Sequence, residues 1–116
     1  MPDPAGPTVS FPTVSFIEIG SNDAGVSQAF FGSVFGWPVR DGMWLQTPTI
    51  KAGTHSDDPA PQIYVYFRVD DLEAAAERVR ASGGEADPAT DEPGFGRFVN
   101  CRAPGGINFG LHQLTD

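Results

Sequence analysis

The stretch that most constrains this chain is Gln62–Ser82, QIYVYFRVDDLEAAAERVRAS, in which an alternating segment passes directly into a helical one. Alternation over 62–69 puts Ile63, Val65, Phe67 and Val69 on one face, and Gln62, Tyr64, Tyr66 and Arg68 on the other. The first set suits a core. Two phenols and a guanidinium suit the wall of a cavity better than bulk solvent. Asp70 or Asp71 can cap the helix, with Glu73 placed as in a capping box. Leu72, Ala75, Ala76 and Val79 then form a narrow apolar stripe that Gly83-Gly84 ends.

A related pattern precedes it. Over Thr13–Gly20, Val14, Phe16, Glu18 and Gly20 alternate with Ser15, Ile17 and Ile19. Glu18 is a carboxylate in an apolar strand, so it must be paired, protonated, bound to a metal or solvated. Ser21-Asn22-Asp23 supplies helix-start chemistry, and Val26, Phe30 and Val34 recur at four-residue spacing before Gly36-Trp37-Pro38 stops the helix. Short extended pieces follow at 37–40, 43–47 and 50–54, and His55–Pro61 reads as a connection. After the second helix, extended pieces are expected near 85–87, at 96–101 and at 107–113. The chain thus reads as strand, helix and three strands, repeated: module one at 13–55 and module two at 62–114, within one domain. The segment 1–12 holds Pro2, Pro4, Pro7 and Pro12 and is expected to be a flexible tail. PTVSF occurs at 7–11 and again at 12–16, and the second copy runs on into the first strand.

Charge and cysteine usage bound the function. Fifteen acidic and seven basic residues give a net charge of -8, which disfavours nucleic acid and anionic membranes as partners. Cys101 is the single cysteine, so a reducing, cytoplasmic setting is expected, with the thiol buried in an apolar stretch. MPDPAGP lacks the basic start and apolar run of a secretion signal, and no segment approaches membrane-spanning length. Gly94 and Gly96 bracket Phe95 without the spacing of a nucleotide-binding loop.

In order and spacing, FFGSVFGW, VDDLEAAAERVRASGG and GFGRFVNCRAPGGINFGLHQ resemble the vicinal oxygen chelate superfamily, the fold of glyoxalase I, extradiol dioxygenases, fosfomycin-resistance enzymes and bleomycin-resistance proteins. The resemblance covers 13–114. It implies an α+β fold of two βαβββ modules, forming cupped mixed sheets with helices outside and a ligand cavity inside, often completed by a second chain in a homodimer. Whether the modules pair within one chain or swap between two stays open. In the superfamily's metal enzymes, a His or Glu from the first and last strand of each module holds one divalent ion. Matching through the helix ends puts Glu18 at the first position, Tyr64 at its second-module equivalent, Gly110 on the last strand, and His55 near the end of module one.

Two functions follow from the resemblance. One is a small-molecule-binding protein of the antibiotic-resistance type, holding a mostly apolar or aromatic ligand without a cofactor. Phe16, Tyr64 and Tyr66 would line the inner face, Trp44, Phe95 and Phe98 the rim, and Glu18 or Arg68 would fix orientation; Trp37 fits the core beside the first helix. The other is a glyoxalase-like lyase or isomerase. Glu18, His55 and His112 would hold zinc, nickel, manganese or iron there, and Glu18 would serve as the catalytic carboxylate. The same residues have structural uses: His55 solvated, His112 hydrogen-bonded near the C-terminus, and Glu18 paired with Arg68 or Arg97. Tyr64 and Gly110, which remove two expected ligands, favour the binding protein.

Overall fold

In the computed structural model, which describes residues 12–42, 44–93 and 95–114, module one comprises β1 (Thr13–Gly20), α1 (Ala24–Phe35), β2 (Val39–Arg40), β3 (Trp44–Gln46) and β4 (Lys51–His55). Module two comprises β5 (Gln62–Arg68), α2 (Leu72–Ala81), β6 (Glu85–Ala86), β7 (Thr90–Glu92), β8 (Gly96–Ala103) and β9 (Ile107–Gln113). The tail expected over 1–12 lies, apart from Pro12, outside the described residues, as do Met43 and Gly94.

The strands form one mixed sheet in the order β2-β3-β4-β1-β5-β9-β8-β6, with β7 also on β8. In each module the last strand returns parallel to the first, β4 beside β1 and β9 beside β5. The modules join through β1 and β5, which run antiparallel with Phe16 opposite Tyr66 and Glu18 opposite Tyr64. They therefore pair within this chain, in one continuous α+β sheet rather than two separate ones.

Module two departs from the expected strand count. β6 and β7 are two pieces of one edge strand lying along β8. Asp87 N–H still bonds Asn100 O at 2.9 Å, and Pro88, which has no N–H to donate, follows it. Thr-Asp-Glu has little strand propensity and is wholly exposed, so no apolar alternation announces β7.

Both helices pack on the same sheet face. Leu72 with Val99, Cys101 and Leu111 forms the core under α2; Ile19, Leu45 and Ala52, joined by Phe31 and Trp37, form the core under α1. Burial pushes the Cys101 thiol up to about 11, so it behaves as a small core residue and not as a nucleophile. Asp71 is the cap of α2, accepting from Ala74 N–H. Glu73 therefore sits one position short of a capping box with it and binds Arg97 instead. Ile63, expected in the core, is 53% exposed and belongs to neither cluster.

Val26, Phe30 and Val34 face outward, at 64%, 58% and 54% exposure, while Ser27 is buried and Phe31 joins the core. Polar bonds set this orientation. Asp23 caps the helix through Gly25 and Val26 N–H, the Ser27 hydroxyl meets that of Ser21 at 2.7 Å, and Gln28 donates to Thr54 Oγ1 at 2.9 Å. The inner face is thus narrow and partly polar, and spacing alone could not show which side of an apolar helix turns inward.

Leu45 and Leu72 are both fully buried, one in each core. Leu45→Ala and Leu72→Ala should each cost about 3 kcal/mol in chemical denaturation, as cavity-forming core truncations do. A loss below about 1 kcal/mol for either would contradict this packing.

Candidate functional site

Strand register maps the face opposite the helices. One row across the sheet runs Gln46, Lys51, Phe16, Tyr66, Gly110 and Asn100. A second, towards the end of β1, runs Trp44, Gly53, Glu18 and Tyr64. A third, on the other side, runs Arg68, His112, Phe98 and Thr90. Over these rows opens a cavity of about 790 Å³ whose walls include Phe16, Trp44, Tyr66, Arg68, Phe95 and Phe98. Tyr64 lines an adjoining polar pocket of about 240 Å³, which shares Glu18 and Tyr66 with the cavity.

The floor is an aromatic stack. Phe16 and Tyr66 lie nearly parallel, with ring centroids 4.3 Å apart, and a Cβ at Gly110 would run into the Tyr66 ring. Glycine is therefore required at 110 for that ring to occupy its place. Phe95 meets Phe16 edge-on at 4.8 Å and covers the His112 ring at 4.3 Å; Phe98 meets Tyr66 edge-on at 6.0 Å. Trp44 forms part of the opposite wall with the Lys51 ammonium 4.6 Å above its ring. The Tyr66 hydroxyl donates to Asn100 Oδ1 at 2.9 Å and that of Tyr64 to Phe109 O at 2.6 Å. Burial pushes both phenols up, so they act as neutral donors.

Glu18 and His55 are brought together; His112 stands apart from them. His55 Nδ1 lies 3.2 Å from Glu18 Oε1 and Nε2 lies 3.0 Å from Asp58 Oδ2. Carboxylates only accept, so both ring nitrogens donate and the imidazolium is favoured. The Asp58 bond, followed by the bond to Glu18 and both negative charges, raises His55 against the opposing effect of burial. Glycines make room here too: a Cβ at Gly20 would strike Asp58 and His55, and one at Gly53 would strike Glu18. His112 is buried in the aromatic cluster. Its Nε2 donates to Phe95 O at 2.8 Å, and Nδ1 shares a hydrogen bond of 2.6 Å with the Ser15 hydroxyl.

Equivalent bonds in the two modules correct the matching made from helix ends. Asp23 and Asp71 cap the two helices, and Ser21 N–H to His55 O corresponds to Val69 N–H to His112 O. Glu18 therefore corresponds to Tyr66, Gly53 to Gly110 and His55 to His112, while Tyr64 corresponds to Phe16. α1 has 12 residues and α2 has 10, so matching through their far ends shifts the strands by two. The residues do not fit the four-ligand centre. Two positions are glycine, the Tyr66 phenol occupies Glu18's place in the second module, and both histidines have both ring nitrogens hydrogen-bonded. Among the described residues no three His, Cys, Asp or Glu side chains converge as a ligand set. Arg97 pairs with Glu73 and Asp91, not with Glu18.

Lys51 was missed by the sequence reading, although its alternation with Gly53 and His55 on β4 was a usable signal. Asp58 lies in the connection after β4, where no pattern marks it. Linkage gives the cluster a pH signature. His55 is raised from 6.5, so its stabilisation is complete below that value and is lost as pH rises through the raised one. Asp58 is lowered from 3.8, chiefly by Ala60 N–H and then by His55, so its contribution is lost only as pH falls through the lowered value. Between about pH 6 and pH 8 the melting temperature should fall more for the wild type than for His55→Asn. Parallel profiles would show that the cluster contributes nothing to stability.

No protein-family model matches the sequence, and no curated protein matches it significantly. Solved structures do match. Methylmalonyl-CoA epimerase from Mycobacterium tuberculosis has a TM-score of 0.64 at 18% identity, over 89% of this chain and 88% of that one. A glyoxalase/bleomycin resistance protein/dioxygenase superfamily member from Vibrio splendidus 12B01 has 0.61 at 21% identity, over 89% and 99%. Homoprotocatechuate 2,3-dioxygenase from Brevibacterium fuscum, solved with 3,4-dihydroxyphenylacetate, has 0.67 at 18% identity over 98% of this chain, which spans only 40% of the dioxygenase. Identity this low speaks to architecture, and on that ground the chain has the vicinal oxygen chelate fold shared by these epimerase, glyoxalase-like and dioxygenase structures.

Proposed function

We propose that this chain is a small-molecule-binding protein that holds a planar, mostly aromatic ligand on the concave face of its sheet without a resident metal, as an antibiotic-sequestering protein does. The observation that carries this reading is the Tyr66 ring lying against Gly110 and Phe16 at the floor of an aromatic-walled cavity of about 790 Å³. That volume suits a drug-sized molecule, and aromatic walls with a few charged tips favour a flat body with polar substituents. Trp44 offers a ring face, while Lys51, Arg68 and Glu18 supply charges to orient the ligand.

The metal-enzyme reading needs Glu18, His55 and His112 on one ion. It would have to free His55 from Glu18 and Asp58 and draw His112 out from beneath Phe95. Ligand binding needs neither change. A buried lone thiol suits a cytoplasmic setting, and no helix among the described residues is long and apolar enough to cross a membrane.

The test is a panel of planar aromatic natural products titrated against the intrinsic fluorescence of Trp44 and Trp37. Binding should quench the Trp44 component. Trp44→Ala should weaken affinity at least tenfold, read by calorimetry, the loss of about 1.4 kcal/mol expected for one stacking contact. Tyr66→Phe, which keeps the ring, should bind within about threefold of wild type. No binding across the panel, or equal affinity in Trp44→Ala, would contradict the proposal.

A further inference from the structure

Two cations on the cavity wall stand without counter-charge in a chain rich in it. Against fifteen acidic residues there are seven basic ones, and Arg80, Arg97 and Arg102 each hold a carboxylate. Arg40, Lys51, Arg68 and Arg78 take part in no ion pair among the described residues; of these, Lys51 and Arg68 lie on the wall of the cavity. Lys51 is directly opposite Phe16 in the register of β1 with β4. Arg68 stands two residues beyond Tyr66 on the same face of β5, beside His112. The two cations therefore flank the stack of Phe16 on Tyr66. Lys51 is held 4.6 Å above the Trp44 ring, a contact that fixes the ammonium without cancelling its charge. The carboxylates of the same wall are placed otherwise: Glu18 is already bonded to His55, and Glu92 lies on the exposed edge strand β7.

We propose that the cavity selects a planar aromatic carboxylate, its carboxylate held by the Arg68 guanidinium at one end of the aromatic stack, with Lys51 supplying a second positive charge across the floor. This rests on the ligand-binding reading above and adds to it the sign of the ligand's charge. A guanidinium offers paired N–H donors that match the two oxygens of a carboxylate, and Arg68 is exposed to the cavity with no side-chain carboxylate on it. A cationic ligand would have to displace His55 from Glu18, where the imidazolium already sits between two carboxylates. A neutral ring would displace water from both cations and give them no partner in return, which costs affinity. Outside the cavity the balance runs the other way, because a net charge of -8 repels anions. A preference for an acid over its neutral analogue therefore reports the local cations and not the chain as a whole.

Titration calorimetry of the full chain with naphthoate, naphthamide and naphthylmethylamine, substituted at the same ring position, tests the proposal. Naphthoate should bind at least about tenfold tighter than naphthamide, the gain from one charge-assisted pair, and naphthylmethylamine should bind weakest. Arg68→Gln should bring naphthoate and naphthamide within about threefold of each other, and Lys51→Gln should narrow the gap. Both side chains are exposed, so circular dichroism of the two variants should match the wild type. Raising salt from about 50 mM to about 500 mM should weaken naphthoate far more than naphthamide. Equal affinity for acid and amide, a preference for the amine, or an acid preference that survives both substitutions would overturn the charge assignment and leave the aromatic cavity standing. Absence of binding by all three would overturn both.

Discussion

The antiparallel pairing of β1 with β5 is the contact on which both halves of the molecule depend. It joins the modules into one sheet, and its register brings Phe16 and Tyr66 face to face at the centre of the concave side. From that stack the other features follow in turn. Tyr66 requires the glycine at 110; Phe95 closes over Phe16 and His112; Phe98 completes the wall. On the opposite face the same strands give each helix its own core, so the aromatic floor is a third packed layer and not an extension of either. Stacking and edge-on contacts of this kind add about 0.5–1.5 kcal/mol per pair beyond burial, which makes the floor a stable surface rather than a loose lining.

Module symmetry explains why the two ends of the concave face differ. Where module one places Glu18 beside Gly53, module two places Tyr66 beside Gly110, and in both the glycine accommodates the neighbouring side chain. Where module one places His55 between two carboxylates, module two places His112 between a hydroxyl and a carbonyl, under an aromatic ring. The His55 end is polar and exposed, whereas the His112 end is buried among aromatic rings. A single fold thus presents an aromatic floor next to a polar pocket, a combination suited to a flat ligand with one polar end.

Much of this was legible in the sequence because period-2 alternation records which side chains share a sheet face. Alternation put Phe16, Tyr66 and Arg68 on inward faces, and all three lie on the cavity wall together with Trp44, Phe95 and Phe98, which were expected at its rim. Three things were not legible. The burial side of α1 depends on hydrogen bonds by Ser27 and Gln28 that spacing does not encode. The strand β7 is polar and exposed, held by pairing with β8 and by the Asp91–Arg97 ion pair rather than by apolar burial. The partner of Glu18 depended on Asp58, in a connection whose path only the folded chain reveals.

Aromatic packing, and not a bound ion, is expected to organise the concave face. The most direct measurement is the metal content of the purified chain, followed after chelation by its melting temperature with nickel, zinc, manganese and iron(II). Packing of Tyr66 on Gly110 and pairing of His55 with Glu18 and Asp58 predict metal well below stoichiometric and no stabilisation by any of the four ions. Near-stoichiometric metal that raises the melting temperature, and loses that effect in Glu18→Gln, would contradict it.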